Sequence, residues 1–128
     1  MKVEWVKNNQ NNEWFDFLRL NLDAPYFIGK RGVYVIWYIG SPSKVVRVGS
    51  GNIAERLKEH RSNIEITKFS SFGPLKVSWV VANGFPLIDR DDQLLGVERF
   101  LAEKYSPLIG DRYPNDVLSI GINLIGAA

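Results

Sequence analysis

Along residues 31–105 the apolar positions switch between two rhythms, a period of two and a period near 3.6, and the switches mark the elements. From Arg31 to Ile39, Val33, Val35, Trp37 and Ile39 alternate with Tyr34, Ile36 and Tyr38. Both faces are apolar or aromatic, which predicts a central strand covered on both sides. Gly40-Ser41-Pro42-Ser43 is turn chemistry, and Lys44 to Gly49 predicts the returning strand. A two-residue turn at Ser41 and Pro42 sets residue 36 against 47 and residue 34 against 49. Changing that turn by one residue would reverse the face of Arg47. Asn52 with Glu55 three positions later fits a capping box, opening a helix through about Arg61. Leu75 to Ala82 predicts a third strand, broken by Asn83-Gly84. Asp91 or Asp92 is placed to cap a helix over Gln93 to Tyr105, which Pro107 stops.

Outside this core the pattern is weaker. The polar patch Asn8–Asn12 reads as a loop. Asn12 would then cap a short helix over Glu13 to Leu20, because Trp14, Phe17, Leu18 and Asn21 fall at helical spacing and Pro25 follows. Ser119 to Ile125 reads as a short edge strand. The expected fold is a small α+β domain, a three-stranded, mainly antiparallel sheet flanked by helices. Its parts would be an N-terminal helical extension over about 1–28, a core over about 31–110 and a tail over 111–128.

Composition narrows the chemistry. The 128 residues suit a single domain, and 45% hydrophobic with 23% charged residues suits a packed core. With no cysteine there are no disulfides, thiolate metal sites or cysteine nucleophiles. The single histidine, His60, excludes multi-histidine zinc sites. No run approaches the roughly 20 apolar residues of a membrane span, nor is there a signal-peptide core, so a soluble cytoplasmic protein is expected. The net charge of +2 is too small to argue nucleic-acid binding by itself, and it leaves room for a local basic lining.

Three polar residues fall where the pattern predicts burial. On the helix opening at Asn52, Ile53, Leu57 and Ile64 define the apolar stripe. At about 100° per residue, His60 lies about 20° from Ile53 and Arg56 about 60° from it. Arg56 is either a side chain snorkelling beside the core or a functional cation; His60 is either a satisfied core histidine or a site residue. Glu98 lies between Leu94 and Tyr105 on the apolar face of the last helix. A carboxylate there is costly unless it is paired, for instance with Arg56, or binds a metal. Tyr34 and Tyr38 are core aromatics by default, and a tyrosine near Lys30, Arg31, Arg47 and Arg56 could also move protons.

In order and type these residues resemble the GIY-YIG nuclease domain family. That family has a Gly-Ile-Tyr strand, a Tyr-Ile-Gly strand, a helix carrying R-x-x-x-H and a later helix with a metal-binding glutamate. Gly32-Val33-Tyr34, Arg47-Val48-Gly49, Arg56-Leu57-Lys58-Glu59-His60 and Glu98 follow that order, and the resemblance runs from Gly32 to about Gly110. A literal Tyr38-Ile39-Gly40 sits on the same predicted strand as Tyr34, so Arg47-Val48-Gly49 takes the second-motif place. The resemblance implies a metal-dependent endonuclease cutting DNA phosphodiester bonds, in repair, mobile-element or restriction-type processing. Tyr34 would assist deprotonation of water, Arg56 would stabilise phosphate charge, and Glu98 would hold one divalent metal, Mg²⁺ or Mn²⁺. His60 would order the site or contact phosphate. Lys30, Arg31 and Lys58 would contact the DNA backbone, and a homodimer or partner protein would supply specificity.

Two features depart from the family. Arg47 replaces the second tyrosine and cannot accept a proton, although it can bind phosphate. The asparagine expected after Pro107 is absent, with Gly110 following Pro107-Leu108-Ile109 and Asn115 or Asn123 as substitutes. The rival readings are a weakened domain that binds nucleic acid without cleavage, and a protein-interaction domain in which Glu98 and Arg56 form a buried ion pair.

Overall fold

The computed structural model describes residues 1–110 and 113–126, which form an α+β domain of one antiparallel sheet and three helices. The strands are β1 (Phe15–Asp16), β2 (Arg31–Tyr38), β3 (Lys44–Asn52) and β4 (Leu75–Val81), in spatial order β1-β4-β2-β3. The helices are α1 (Ile53–Arg61), α2 (Ile64–Thr67) and α3 (Asp91–Tyr105). Four strands replace the expected three, because Phe15 and Asp16 pair with Val77 and Lys76 on β4. No helix among the described residues is long and apolar enough to cross a membrane.

Strand β2 is central and feeds two cores. Val33, Val35 and Trp37 pack with Val48 and with Leu94, Val97 and Leu101 of α3. Tyr34, Ile36 and Tyr38 face the other way, onto Ile53 and Leu57 of α1 and onto Phe17, Phe27 and Ile66. This two-sided burial is what the unbroken apolar run of β2 predicts.

The hairpin register matches the expectation near the motifs: Tyr34 faces Gly49 and Ile36 faces Arg47. The route there is different. Tyr38 pairs with Lys44 and Trp37 with Val45, so the loop spans residues 39–43, and a bulge between Ile36 and Trp37 absorbs the offset. The bulge keeps Arg47 on the face of Tyr34.

Residues 13–20 are not a helix. Asn8, Asn11, Asp16 and Asn21 each accept a hydrogen bond from the backbone N–H two residues on, at 2.9–3.1 Å. Such local bonds compete with the helical ladder. Asn12, the expected cap, has φ 57°, outside the extended region a cap adopts. Pro25 opens a 3₁₀ turn, Pro25–Phe27, instead of ending a helix. The tail segment 119–125 is not a strand either. Its partner is the N-terminal segment, reached through a side chain: Asn123 Oδ1 accepts from Val3 N at 2.6 Å and its Nδ2 donates to Val3 O at 3.1 Å. Trp5 Nε1 donates to the Asn123 carbonyl at 2.9 Å.

Helix α1 ends at Arg61 as expected, but Ile64 is not on its apolar stripe: it opens α2 with its side chain exposed, while Ile66 takes the buried place. The start of α3 is also corrected. Arg90, not Asp91 or Asp92, is the N-cap of α3; its N–H donates to Gln93 Oε1 at 3.0 Å. Asp91 and Asp92 occupy the first turn, where the helix dipole favours anions. Ser106, in the left-handed region at φ 47°, ends α3 before Pro107.

Candidate functional site

Strand β3 is an edge of the sheet, and its two halves are treated differently. Leu108 and Ile109 donate to the Val45 and Val46 carbonyls at 3.2 and 2.8 Å, which covers the near half. Around Gly49 and Ser50 the edge is flanked instead by α1 on one face and α3 on the other. Side chains from both faces therefore meet around one strand edge. They line a cleft of about 300 Å³ that includes Tyr34, Arg47, Arg56, His60 and Glu98, with Ser50, Glu59 and Leu95.

Tyr34 is the most constrained member. It is fully buried within the sheet, and its ring lies over Gly49, where a Cβ would collide with the phenol. Its hydroxyl is 2.5 Å from His60 Nε2. Burial drives the Tyr34 phenol well above the ordinary tyrosine range; Arg47 and Arg56 pull it down and Glu98 pushes it further up. Burial also lowers His60, with Arg47 and Arg56 in the same direction, to about 4. The imidazole is therefore neutral at physiological pH. In the tautomer protonated on Nδ1, its Nε2 accepts from the Tyr34 hydroxyl.

Glu98 reaches the cleft from α3, half-buried at its wall. Ser50 Oγ donates to Glu98 Oε1 at 2.8 Å. Burial raises the Glu98 carboxyl, against the hydroxyl of Ser50 and the charges of Arg47 and Arg56. No direct Glu98–Arg56 ion pair forms among the described residues, because Arg56 turns to Glu59, Nη1 to Oε2 3.3 Å, in an exposed position. The buried ion pair of the interaction-domain reading is thus absent. Arg47 also lines the cleft, with its guanidinium 5.6 Å from the Tyr113 ring centroid.

Five of the sequence-derived residues converge and three do not. Arg31 is held at the start of β2 by Asp89 and Asp91, at 2.8 and 2.7 Å. Lys58 pairs with Asp23 at 2.6 Å, and the Lys30 ammonium lies 5.1 Å over the Tyr26 ring. Ser50, which lines the cleft, and Tyr113, which neighbours Arg47 behind it, were missed. Ser50 was legible as the residue beyond Gly49, since strand alternation turns it to the opposite face and hence to α3. Tyr113, beyond the last periodic element, carried no signal.

Among the described residues no three His, Cys, Asp or Glu side chains cluster closely enough to hold a metal by themselves. The donor set fits a hard divalent ion held by one carboxylate, since Mg²⁺ keeps several waters and takes one or two protein carboxylates. Ser50 occupies one oxygen of Glu98, and the carboxylate borders an open cleft. Comparison with protein-family models, curated proteins and solved structures finds no match to this chain.

Proposed function

We propose that this chain is a metal-dependent endonuclease of the GIY-YIG kind, hydrolysing phosphodiester bonds in DNA. The observation that carries the reading is the convergence of Tyr34, Arg47, Arg56, His60 and Glu98, from both faces of the sheet, on one open cleft at the β3 edge. Random placement of charged groups on a fold this small gives little reason for a phenol, an imidazole, two guanidiniums and a carboxylate to share it.

Each residue has a task in phosphodiester hydrolysis. Water gives a proton to the Tyr34 oxygen as Tyr34 passes its own to His60 Nε2, and the hydroxide so formed attacks phosphorus. Arg56, exposed at the mouth, and Arg47 at the base offset the charge that develops on the phosphoryl oxygens. Glu98, oriented by Ser50, would hold the divalent ion. When bound, that ion supplies Lewis-acid activation of water and neutralises charge on the leaving oxygen. Nothing in this set reads bases, so sequence preference would come from elsewhere.

The test compares the wild-type chain with Glu98→Ala on supercoiled and four-way branched DNA, in Mg²⁺ and in Mn²⁺. Cleavage should fall at least about a hundredfold in the variant. A second reading, binding without cleavage, is favoured by one feature: Arg47 stands where the family has its second tyrosine. DNA retention with no cleavage in either metal would select that reading, and absence of both would sink the two together.

A further inference from the structure

The two places where the chain departs from the GIY-YIG pattern are far apart in sequence and touch in the fold. Arg47 stands on β3 in the place of the second tyrosine, and Gly110 lies in the stretch after Pro107 where the asparagine is expected. A Cβ at Gly110 would collide with the Arg47 guanidinium. The β3 edge itself brings the two together, because Leu108 and Ile109 donate to the Val45 and Val46 carbonyls next to Arg47. Gly110 then turns at φ 107°, a conformation that L side chains rarely adopt. Conformation and space both call for glycine there.

Packing places the guanidinium. The Gly110 backbone closes one side of it, and the Tyr113 ring, with its centroid 5.6 Å away, closes another. Tyr113 is tied to the same segment, its hydroxyl donating to the Ile109 carbonyl at 3.3 Å. Among the described residues Arg47 forms no ion pair, and its buried Nε has no hydrogen-bond partner. Its charge is felt by both members of the Tyr34–His60 pair.

An arginine has far more rotamer freedom than the tyrosine it replaces, so it needs walls to meet a phosphoryl oxygen in one fixed geometry. We propose that Gly110 and Tyr113 are positioning residues that hold the Arg47 guanidinium in the cleft as a preformed phosphate contact. Neither residue lines the cleft, so both act through Arg47. The contact with phosphate rests on the endonuclease reading; the hold on the guanidinium does not. On this view the two departures form one coupled change, since the arginine is usable only where residue 110 has no side chain.

His60 is the single histidine, so one imidazole C–H signal in the NMR spectrum of the full chain reports on the site. Burial, and after it the Arg47 charge, holds this imidazole down at about 4; Glu59 and Arg56 also act on it, but they stand on α1 and stay unchanged in the test. In EDTA, Arg47→Ala should raise the midpoint of the His60 titration by at least about half a pH unit. Gly110→Ala should raise it too, by pushing the guanidinium out, and should add nothing further in the Arg47→Ala background. Should Gly110→Ala not fold, Tyr113→Leu opens the other wall and is expected to act alike, while Tyr113→Phe keeps the ring and the wild-type midpoint. Cleavage of supercoiled DNA in Mg²⁺ should follow the same pattern. Gly110→Ala and Arg47→Ala should each be at least about tenfold slower, and the double variant no slower than Arg47→Ala. A His60 midpoint unmoved in Gly110→Ala and Tyr113→Leu, or losses that multiply in the double variant, would overturn the proposal. A wild-type chain that cuts no DNA removes the endonuclease reading, and the His60 titration then decides alone whether Gly110 and Tyr113 hold the guanidinium.

Discussion

At Gly49 the constraint is one of space. The Tyr34 phenol occupies the volume that any Cβ at this position would need, and the ring is held in place by His60. Gly49→Ala is therefore expected to destabilise the fold by about 1–3 kcal/mol, the usual cost of overpacking. Thermal unfolding should show a drop in Tm of several degrees. An unchanged Tm would mean that the ring swings aside freely and is not a fixed part of the cleft. The same pair shows what single residues reveal before a structure is known. Tyr34 and Gly49 were legible from motif order, because both lie on strongly periodic strands. A two-residue turn predicts their pairing, and the structure reaches the same register through a longer loop and the bulge at Ile36 and Trp37. Lys30, Arg31 and Lys58 teach the opposite lesson. They stand close to the motifs along the chain, yet local partners, Asp89, Asp91, Asp23 and the Tyr26 ring, claim them away from the cleft.

Among the elements, α1 carries most weight for the site, since it holds Arg56 and His60 in a helix of only nine residues. A helix that short is marginal without its ends secured. Asn52 secures one end, its Oδ1 accepting from Glu55 N at 3.1 Å. Asn52→Ala should cost about 1 kcal/mol and speed amide exchange in the first turn of α1. Asn52→Asp, which keeps the acceptor, should restore most of both. If Asn52→Ala leaves chemical denaturation and exchange unmoved, the cap does not hold this helix. The elements that periodicity predicts correctly, β2, β3, β4, α1 and α3, are those whose apolar faces are buried in the two cores. Residues 13–20 mislead because aromatic spacing suggests a helix while Asp16 and its asparagine neighbours supply side-chain oxygens that satisfy the backbone locally.

For the molecule as a whole, two of the cleft groups with altered proton affinity, His60 and Glu98, pull stability in opposite directions with pH. His60 is depressed from 6.5 to about 4, so between these values the unfolded chain takes a proton that the folded chain refuses. Its contribution is present above pH 6.5 and is lost as pH falls toward 4. Glu98 is raised above its ordinary 4.5, so the folded chain holds that proton more tightly. Its contribution is present below pH 4.5 and is lost as pH rises through the folded value. Chemical denaturation from pH 7 to pH 4 should show the stability gap between wild type and His60→Gln shifting against the wild type as pH falls. The corresponding gap for Glu98→Gln should shift in the wild type's favour. Parallel curves for wild type and either variant would show that the group does not feel the burial described. The opposed slopes arise because burial at one strand edge disfavours the charged form of both groups, and one is a base while the other is an acid.

The bond set around Asn123 has a consequence for the order of events in folding. Its side-chain amide joins residues 120 positions apart, so almost the entire chain is one loop that must close before these bonds can form. Hairpin and helix contacts are far more local and need not wait for it. The clasp should then be absent from the folding transition state. Asn123→Ala is expected to accelerate unfolding while leaving refolding nearly unchanged, as stopped-flow kinetics would register. In that case the amide acts as a latch on the finished domain, setting how long it stays folded and not how fast it gets there.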